Sequence, residues 1–390
     1  MKYGIIADLH FGRGDDKALA QYLATFDSAI MGMNVRDVDV LIIAGDTFEK
    51  HAEFTAKTFD RIKKSIGYFD GKFIIFLSGN HDFIGDNSYS AVLPFHGIDT
   101  CTTVIGSPDI YKFNTGKEVV IFIPWLQKSC LSQIANFATL SKSEVYEKIR
   151  EGILFPFLDE ARKTKADFKL CVFHASVTGA SVSGQSTIPT TDFNIAPLDL
   201  LSLGCDYCVG GHFHKRQTIA EKIMYVGSME RQDFGEADNP CGWLLIEPGK
   251  SPEFIELEGA TAWRTWDFKN ENTHGILEII PEKVVGHIKI KHAVAANIPQ
   301  IEQAKIEAAF LAAGAFDVVF EPVREEIAIV RVSGIEKATS LRERLELWAN
   351  AAPENDADGL ARKLFEYDEG KGFPEETNTE YFEKAMKNIT

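Results

Sequence analysis

The sequence predicts an α/β sandwich with buried strands, and two observations predict it. From residue 1 to about residue 260, short apolar runs rich in β-branched and aromatic residues alternate with segments of helical period. Each run is followed by Gly, Asp, Asn or His, the residues at which a buried strand hands over to a loop.

In chain order the runs are YGIIADLH, VDVLIIAGDTF, KFIIFLSGNHD, KEVVIFIPW, FKLCVFHAS and CDYCVGGHFH. Residues 15–34, 52–69 and 141–164 between them read as amphipathic helices. GWLLIEP and PEFIELE should add two closing strands, which puts the first domain at 1–262, with WRTWDFKNENTH as a linker. A small α/β unit is expected over 275–335. In it VGHIKIK alternates Ile288 and Ile290 with His287, Lys289 and Lys291, and IPQIEQAKIEAAFLAAG puts Ile301, Ala304, Ala308 and Leu311 on one stripe. FDVVFEPV and EEIAIVRV supply two more strands.

Ser340 with Glu343 forms a capping box opening a helix whose Leu341, Leu345 and Trp348 make an apolar stripe. Pro353 ends it, Asp356 can cap a second helix, and Leu360, Leu364 and Phe365 make a second stripe. A helix-loop-helix over 338–368 is therefore expected, with an acidic tail at 369–390. Apolar stripes without a core of their own mark a partner surface.

Bulk composition narrows the function. A chain of 390 residues with 45% hydrophobic content exceeds the ~250–300 residues of a single core, so more than one domain is expected. No apolar stretch approaches the ~20 residues of a membrane span, and the expected location is the cytoplasm. Six scattered cysteines fit a reducing compartment. Cys205 and Cys208 form a CxxC without a second pair, which reads as buried structural thiols rather than a zinc site. The net charge of −16 weighs against a nucleic-acid binder unless metals, a local basic patch or a partner supply the positive field.

The chemistry concentrates at strand ends. Asp8 and His10 lie two apart on the first run, so both side chains should leave one face; Asp46 follows LIIAG, Asn80 and His81 follow FIIFLSG, His174 follows LCVF, and His212 and His214 follow CVGG. Segments that deliver polar residues from strand ends can converge at one sheet edge, where α/β clefts lie. With His81 set aside, two Asp, one Asn and four His suit Mn, Fe or Zn. Two cations ~3.5–4 Å apart need a shared carboxylate and about three further ligands each, and the count fits.

The ordered set DxH, GD, GNHD, H and GHxH resembles the calcineurin-like metallophosphoesterases, whose fold is a four-layer sandwich of two β-sheets flanked by helices. IPWLQ at 123–127, GGHFHKRQ at 210–217 and GSMERQDFGEADNPCGW at 227–243 further resemble the SbcD-type double-strand-break repair nucleases within it. The resemblance covers residues 1–260 closely and the remainder only by layout. It implies one cation held by Asp8, His10, Asp46 and His214, and a second held by Asp46, Asn80, His174 and His212, with Asp46 bridging. His81 would stay off the metals and stabilise the phosphorane or protonate the leaving 3′ oxygen. Where archaeal and eukaryotic relatives carry a histidine three residues beyond the bridging Asp, this chain has Glu49. His51 is offset by two and does not replace it. His96, His274, His287 and His292 match no motif.

The function implied is Mn-dependent exonuclease and single-strand endonuclease action at DNA ends, with Mg, Fe or Zn as other candidate metals. Partners implied are DNA, an SbcC-like coiled-coil ATPase gripping the helix-loop-helix, and a second copy of the chain. His287, Lys289 and Lys291 are the candidate phosphate contacts of the small unit. The rival readings are another calcineurin-like phosphodiesterase or phosphatase with a non-DNA substrate, and a non-catalytic subunit, which the full ligand set disfavours.

Overall fold

The apolar runs form two six-stranded sheets. The computed structural model describes residues 1–13, 16–49, 56–84, 89–131, 139–181, 193–267, 277–278, 280–284, 286–293 and 300–323, all within the compact unit Met1–Val323. In the first sheet β1 (Tyr3–Ile6), β2 (Val40–Ala44), β3 (Phe73–Leu77) and β4 (Thr102–Ile105) pair in parallel in that order. The second holds β5 (Asp109–Phe113), β6 (Glu118–Ile123), β7 (Phe168–His174), β8 (Tyr207–Gly211), β9 (Gln217–Ala220) and β10 (Ile223–Tyr225), in spatial order β9-β10-β8-β7-β6-β5. β11 (Gly242–Ile246) and β12 (Glu253–Glu256) then return to the first sheet, where β11 pairs antiparallel with β1.

Neighbouring residues of one strand enter different cores because side chains alternate across a sheet. Val40 and Ile42 pack between the sheets with Leu77, Val120, Val172 and Val209. Leu41 and Ile43 point the other way, onto Phe26 and Ile30 of α1 (Asp16–Val35) and Ile62 and Ile66 of α2 (Ala56–Ile66). On the opposite side Val119, Ile121 and Phe173 pack against α3 (Lys142–Ile149), α4 (Phe155–Lys163) and α5 (Pro197–Leu201) through Val145, Ile149, Leu158 and Leu200. Burying one such side chain contributes about 1.5–3 kcal/mol, so strands apolar on both faces demand a layer on each. Helices, sheet, sheet and helices give the four-layer sandwich.

The helix expected over 141–164 opens with a Ser141–Glu144 capping box and is divided by a wider π turn at Arg150–Leu154. Cys205 and Cys208 are buried beside Cys171, and thiol–thiol contacts together with burial push their pKa values up, as befits inert core groups.

A separate three-stranded sheet follows, with β13 (Trp263–Asp267), β14 (Gly286–Ala293) and β15 (Ala315–Val323) all parallel. Trp263–Asp267 was expected inside a linker, yet its backbone completes this sheet. Ile288 and Ile290 are buried as their alternation requires, against α6 (Gln300–Ala312). The stripe expected on that helix is corrected: Ile306 and Phe310 face the sheet while Ala304, Ala308 and Leu311 are exposed. Ile and Phe at i, i+4 offer far more area than two alanines, and area decides which face is covered.

Among the described residues no helix is long and apolar enough to cross a membrane. The strand EEIAIVRV, the helix-loop-helix with Leu341, Leu345, Trp348, Leu360, Leu364 and Phe365, the tail, His51 and His274 lie outside the described residues.

Candidate metal centre

The ends of parallel strands from both sheets meet at one edge, and all seven expected ligands are gathered there. Only His174 belongs to a strand, as the last residue of β7. Asp8 and His10 lie beyond the end of β1, and His212 and His214 beyond the end of β8. The expected shared strand face is therefore not what aligns each pair. Asp8, His10, Asp46 and His212 instead adopt left-handed backbone, with φ of 53°, 48°, 49° and 105°. Such conformations cost of order 1–3 kcal/mol and persist where surrounding structure dictates them.

Backbone contacts dictate them here. Asp8 N–H donates to the Gly45 carbonyl (3.1 Å) and His10 N–H to the Asp46 carbonyl (3.1 Å), which binds the first loop to the second. His212 N–H donates to both carboxylate oxygens of Asp8 at 3.0 and 3.1 Å. His81 N–H donates to Asp46 Oδ1 at 2.7 Å. Two glycines make room: a Cβ at Gly45 (φ 92°) would stand 1.9 Å from His174 Nδ1, and one at Gly79 would stand 2.2 Å from Asp46 Oδ1.

The seven expected donors fall into two groups, and His10 also stands in a third with Glu49 and His81. Asp8, His10 and His214 converge on one, and Asp46, His174 and His212 on the other. His10 Nε2 lies 3.0 Å from His214 Nε2. Asn80 Oδ1 stands 3.1 Å from His174 Nε2 and 3.0 Å from His212 Nδ1, completing the second group. Asp46 Oδ2 is 3.4 Å from His174 Nε2 and 3.9 Å from His10 Nε2, so one carboxylate reaches both groups.

The rings are also turned to ligate. His174 Nδ1 donates to the Ala44 carbonyl at 2.8 Å, and His214 Nδ1 faces Glu236 Oε1 at 2.7 Å. Each contact fixes a tautomer that leaves Nε2 with its lone pair aimed inward, which is how histidine ligands are normally held. A cradle of seven oxygen and imidazole donors, with a shared carboxylate, fits two divalent cations of borderline softness.

The family model for calcineurin-like phosphoesterases matches residues 1–216. The chain belongs to the calcineurin-like phosphoesterase family. A dimetal phosphatase from Danio rerio, known from a crystal structure, aligns with 66% of this chain and 99% of its own length, at 11% identity and a TM-score of 0.45. A search of curated proteins found no match. As a calcineurin-like phosphoesterase the protein is a hydrolase whose clustered His and Asp residues are able to hold metals.

Three acids at the centre had no assigned role in the sequence. Glu49 Oε1 lies 2.9 Å from His81 Nδ1, while Oε2 lies 3.4 Å from His10 Nδ1 and 3.2 Å from Arg13 Nη1. Asp82, fully buried, accepts from Phe48 N–H (3.0 Å) and Gly79 N–H (2.8 Å) and so holds the second and third ligand loops together. Glu236 orients His214 and accepts from Gln232 N–H at 2.7 Å. A readable signal existed for two of them: Asp82 closes GNHD and Glu236 closes ERQDFGE.

The candidate phosphate contacts of the small sheet are engaged with acids on β15. His287 Nδ1 is 2.8 Å from Asp317 Oδ2, Lys289 Nζ is 2.7 Å from Glu321 Oε2, and Lys291 stands opposite Glu321 in register.

Electrostatics follow from packing acids against imidazoles. Burial opposes ionisation of Asp46, but His174, His10 and His81 outweigh it and hold the carboxyl far below its usual range. Burial likewise works against a charged His174, yet Asp46 and Asp8 push its pKa up to about 9. Burial, joined by the charge of Asp46, raises Asp82 to about 7. Glu49 is held well below its normal range despite burial, through its contacts with His10 and His81.

Proton release on metal uptake is the measurable consequence, because a ligating imidazole must be neutral. Below about pH 9 the metal-free protein carries a proton on His174. Mn²⁺ affinity is therefore expected to rise with pH up to about 9 and then level off, with proton release seen by calorimetry in buffers of different ionisation enthalpy. The stability sign is opposite without metal. A histidine raised in the folded state stabilises fully below its unfolded value of about 6.5. That contribution disappears as pH climbs through about 9, so the melting temperature of metal-free protein should fall over this window. A melting temperature that is flat or rising there would sink the His174–Asp46 assignment.

Proposed function

We propose that this calcineurin-like phosphoesterase is an SbcD-type nuclease that hydrolyses phosphodiester bonds at DNA ends with two Mn²⁺ ions. The observation that carries it is the place of the segment Gly227–Trp243. This stretch, which resembles that nuclease branch, contributes Glu236 to the orientation of His214. The branch resemblance and the metal cradle thus share residues rather than lying apart.

Two divalent cations, when bound, would lower the pKa of water from 15.7 toward ~7 and neutralise phosphate oxygens. The chain's own residues supply the rest. Asp8, His10, Asp46 and His214 would hold one cation, and Asp46, Asn80, His174 and His212 the other. His81, held by Glu49 at the edge of the cradle, is placed to meet charge or deliver a proton at the leaving oxygen. The proposed DNA contacts His287, Lys289 and Lys291 would exchange Asp317 and Glu321 for phosphates. An SbcC-like ATPase bound by the 338–368 segment would add the positive field that a chain of net charge −16 lacks, and the pair would work as a dimer of each.

A second reading is a phosphatase or small-molecule phosphodiesterase, since the same cradle suits any phosphoester. Linear duplex DNA, bis-p-nitrophenyl phosphate and p-nitrophenyl phosphate, each assayed with Mn²⁺, separate the two. Release of nucleotides from DNA ends together with weak monoester hydrolysis is the expected result. Fast monoester turnover with intact DNA would establish the second reading instead.

A further inference from the structure

A loop links the metal cradle to the small sheet. Residues 230–236 are fastened at one end to the entry of β13: the Glu230 carboxylate accepts from Thr261 N–H at 2.6 Å, and Arg231 Nη1 donates to the Thr261 carbonyl at 3.1 Å. Trp263, the first residue of β13, donates its indole N–H to the Arg231 carbonyl at 3.0 Å. Phe234 of the same loop packs edge-on against the Trp263 ring, with centroids 4.8 Å apart. The Trp263 ring also stacks on His287 of β14 at 3.8 Å and 21°. At its far end the loop delivers Glu236 to His214 Nδ1. The indole is therefore clamped between the small sheet and the carriage of a metal ligand.

We propose that Trp263 is a positioning residue for His214: by seating the 230–236 loop on the small sheet it sets the Glu236–His214 contact, and with it the affinity of the Asp8–His10–His214 side for its cation. This rests on the two-cation reading. A carboxylate behind a histidine ligand is worth roughly 10–100-fold in metal affinity. Loss of what aims that carboxylate should cost part of that factor, and only on one side of the cradle. Asp46, His174, Asn80 and His212 make none of these loop contacts, so the other cation should be spared.

The experiment is calorimetric titration of chelator-treated protein with MnCl₂ for wild type, Trp263→Ala, Glu236→Gln and the double variant, with melting curves alongside. Wild type is expected to take up two Mn²⁺; uptake of fewer would fail the two-cation reading itself and is distinguishable from failure of the proposal. Trp263→Ala should weaken one of the two sites about tenfold and leave the other unchanged. The double variant should bind as Glu236→Gln alone, because both substitutions act on one contact. Trp263→Phe keeps the stack but drops the N–H bond, should bind with intermediate affinity, and carries the test if the alanine variant does not fold. Equal weakening of both sites, additive losses in the double variant, or unchanged binding in both Trp263 variants would overturn the proposal.

Discussion

Asp46→Ala is expected to abolish metal-dependent hydrolysis, with a larger loss than removal of any terminal ligand. Asp46 is the carboxylate that reaches both donor groups, through Oδ2 at 3.4 Å from His174 and 3.9 Å from His10. Its other oxygen accepts from His81 N–H, so the residue also anchors the loop carrying Asn80 and His81. Deletion would leave each cation one anionic ligand short and would remove one of the contacts, beside those of Asp82, that hold the third loop. His212→Ala, by contrast, removes one neutral donor from one side. Metal analysis should find fewer than two Mn²⁺ per chain in Asp46→Ala and turnover reduced beyond the ~10²–10⁴ of losing a single general acid. Asp46→Asn, nearly isosteric, separates loss of charge from loss of shape. Either variant retaining two Mn²⁺ and ordinary activity would remove Asp46 from the bridging position.

How much of this was legible in the sequence depends on what each residue signals. Ile42 and Ile43 announce a strand covered on both faces because no polar residue interrupts the run, and the four layers follow from that. The residues gathered at the sheet edge were legible because each follows such a run. Their geometry was not. Alternation along a strand cannot foresee that Asp8, His10, Asp46 and His212 sit in left-handed backbone, since that conformation is imposed by contacts between loops distant in sequence. Asp82 and Glu236 stood inside readable motifs, but their roles were not legible, because each exists only once the Gly79 amide or His214 is beside it. On α6 the stripe of Ala304, Ala308 and Leu311 matched the helical period, yet Ile306 and Phe310 won the sheet through size. Periodicity proposes faces, and buried area chooses among them.

His81→Asn is expected to separate chemistry from metal binding. The contact that ties His81 to the cradle runs from its backbone N–H to Asp46 Oδ1, and a side-chain replacement leaves it intact. On its ring, Glu49 holds Nδ1 at 2.9 Å and His10 lies edge-on at 4.8 Å. Burial opposes the charged form of the ring, but Glu49 sustains it, so the His81 pKa is raised above its ordinary value and the ring is poised to give up a proton. Asparagine keeps a polar side chain but has no proton to transfer. Two Mn²⁺ per chain should therefore remain while turnover on DNA falls by roughly 10²–10⁴, the usual loss of a general acid. The substrate dependence sharpens the test: a p-nitrophenolate leaves without protonation, so the loss on bis-p-nitrophenyl phosphate should be much smaller than on DNA. Equal losses on both substrates would assign His81 to charge stabilisation of the phosphorane instead, and near-normal turnover on DNA would take it out of the mechanism altogether.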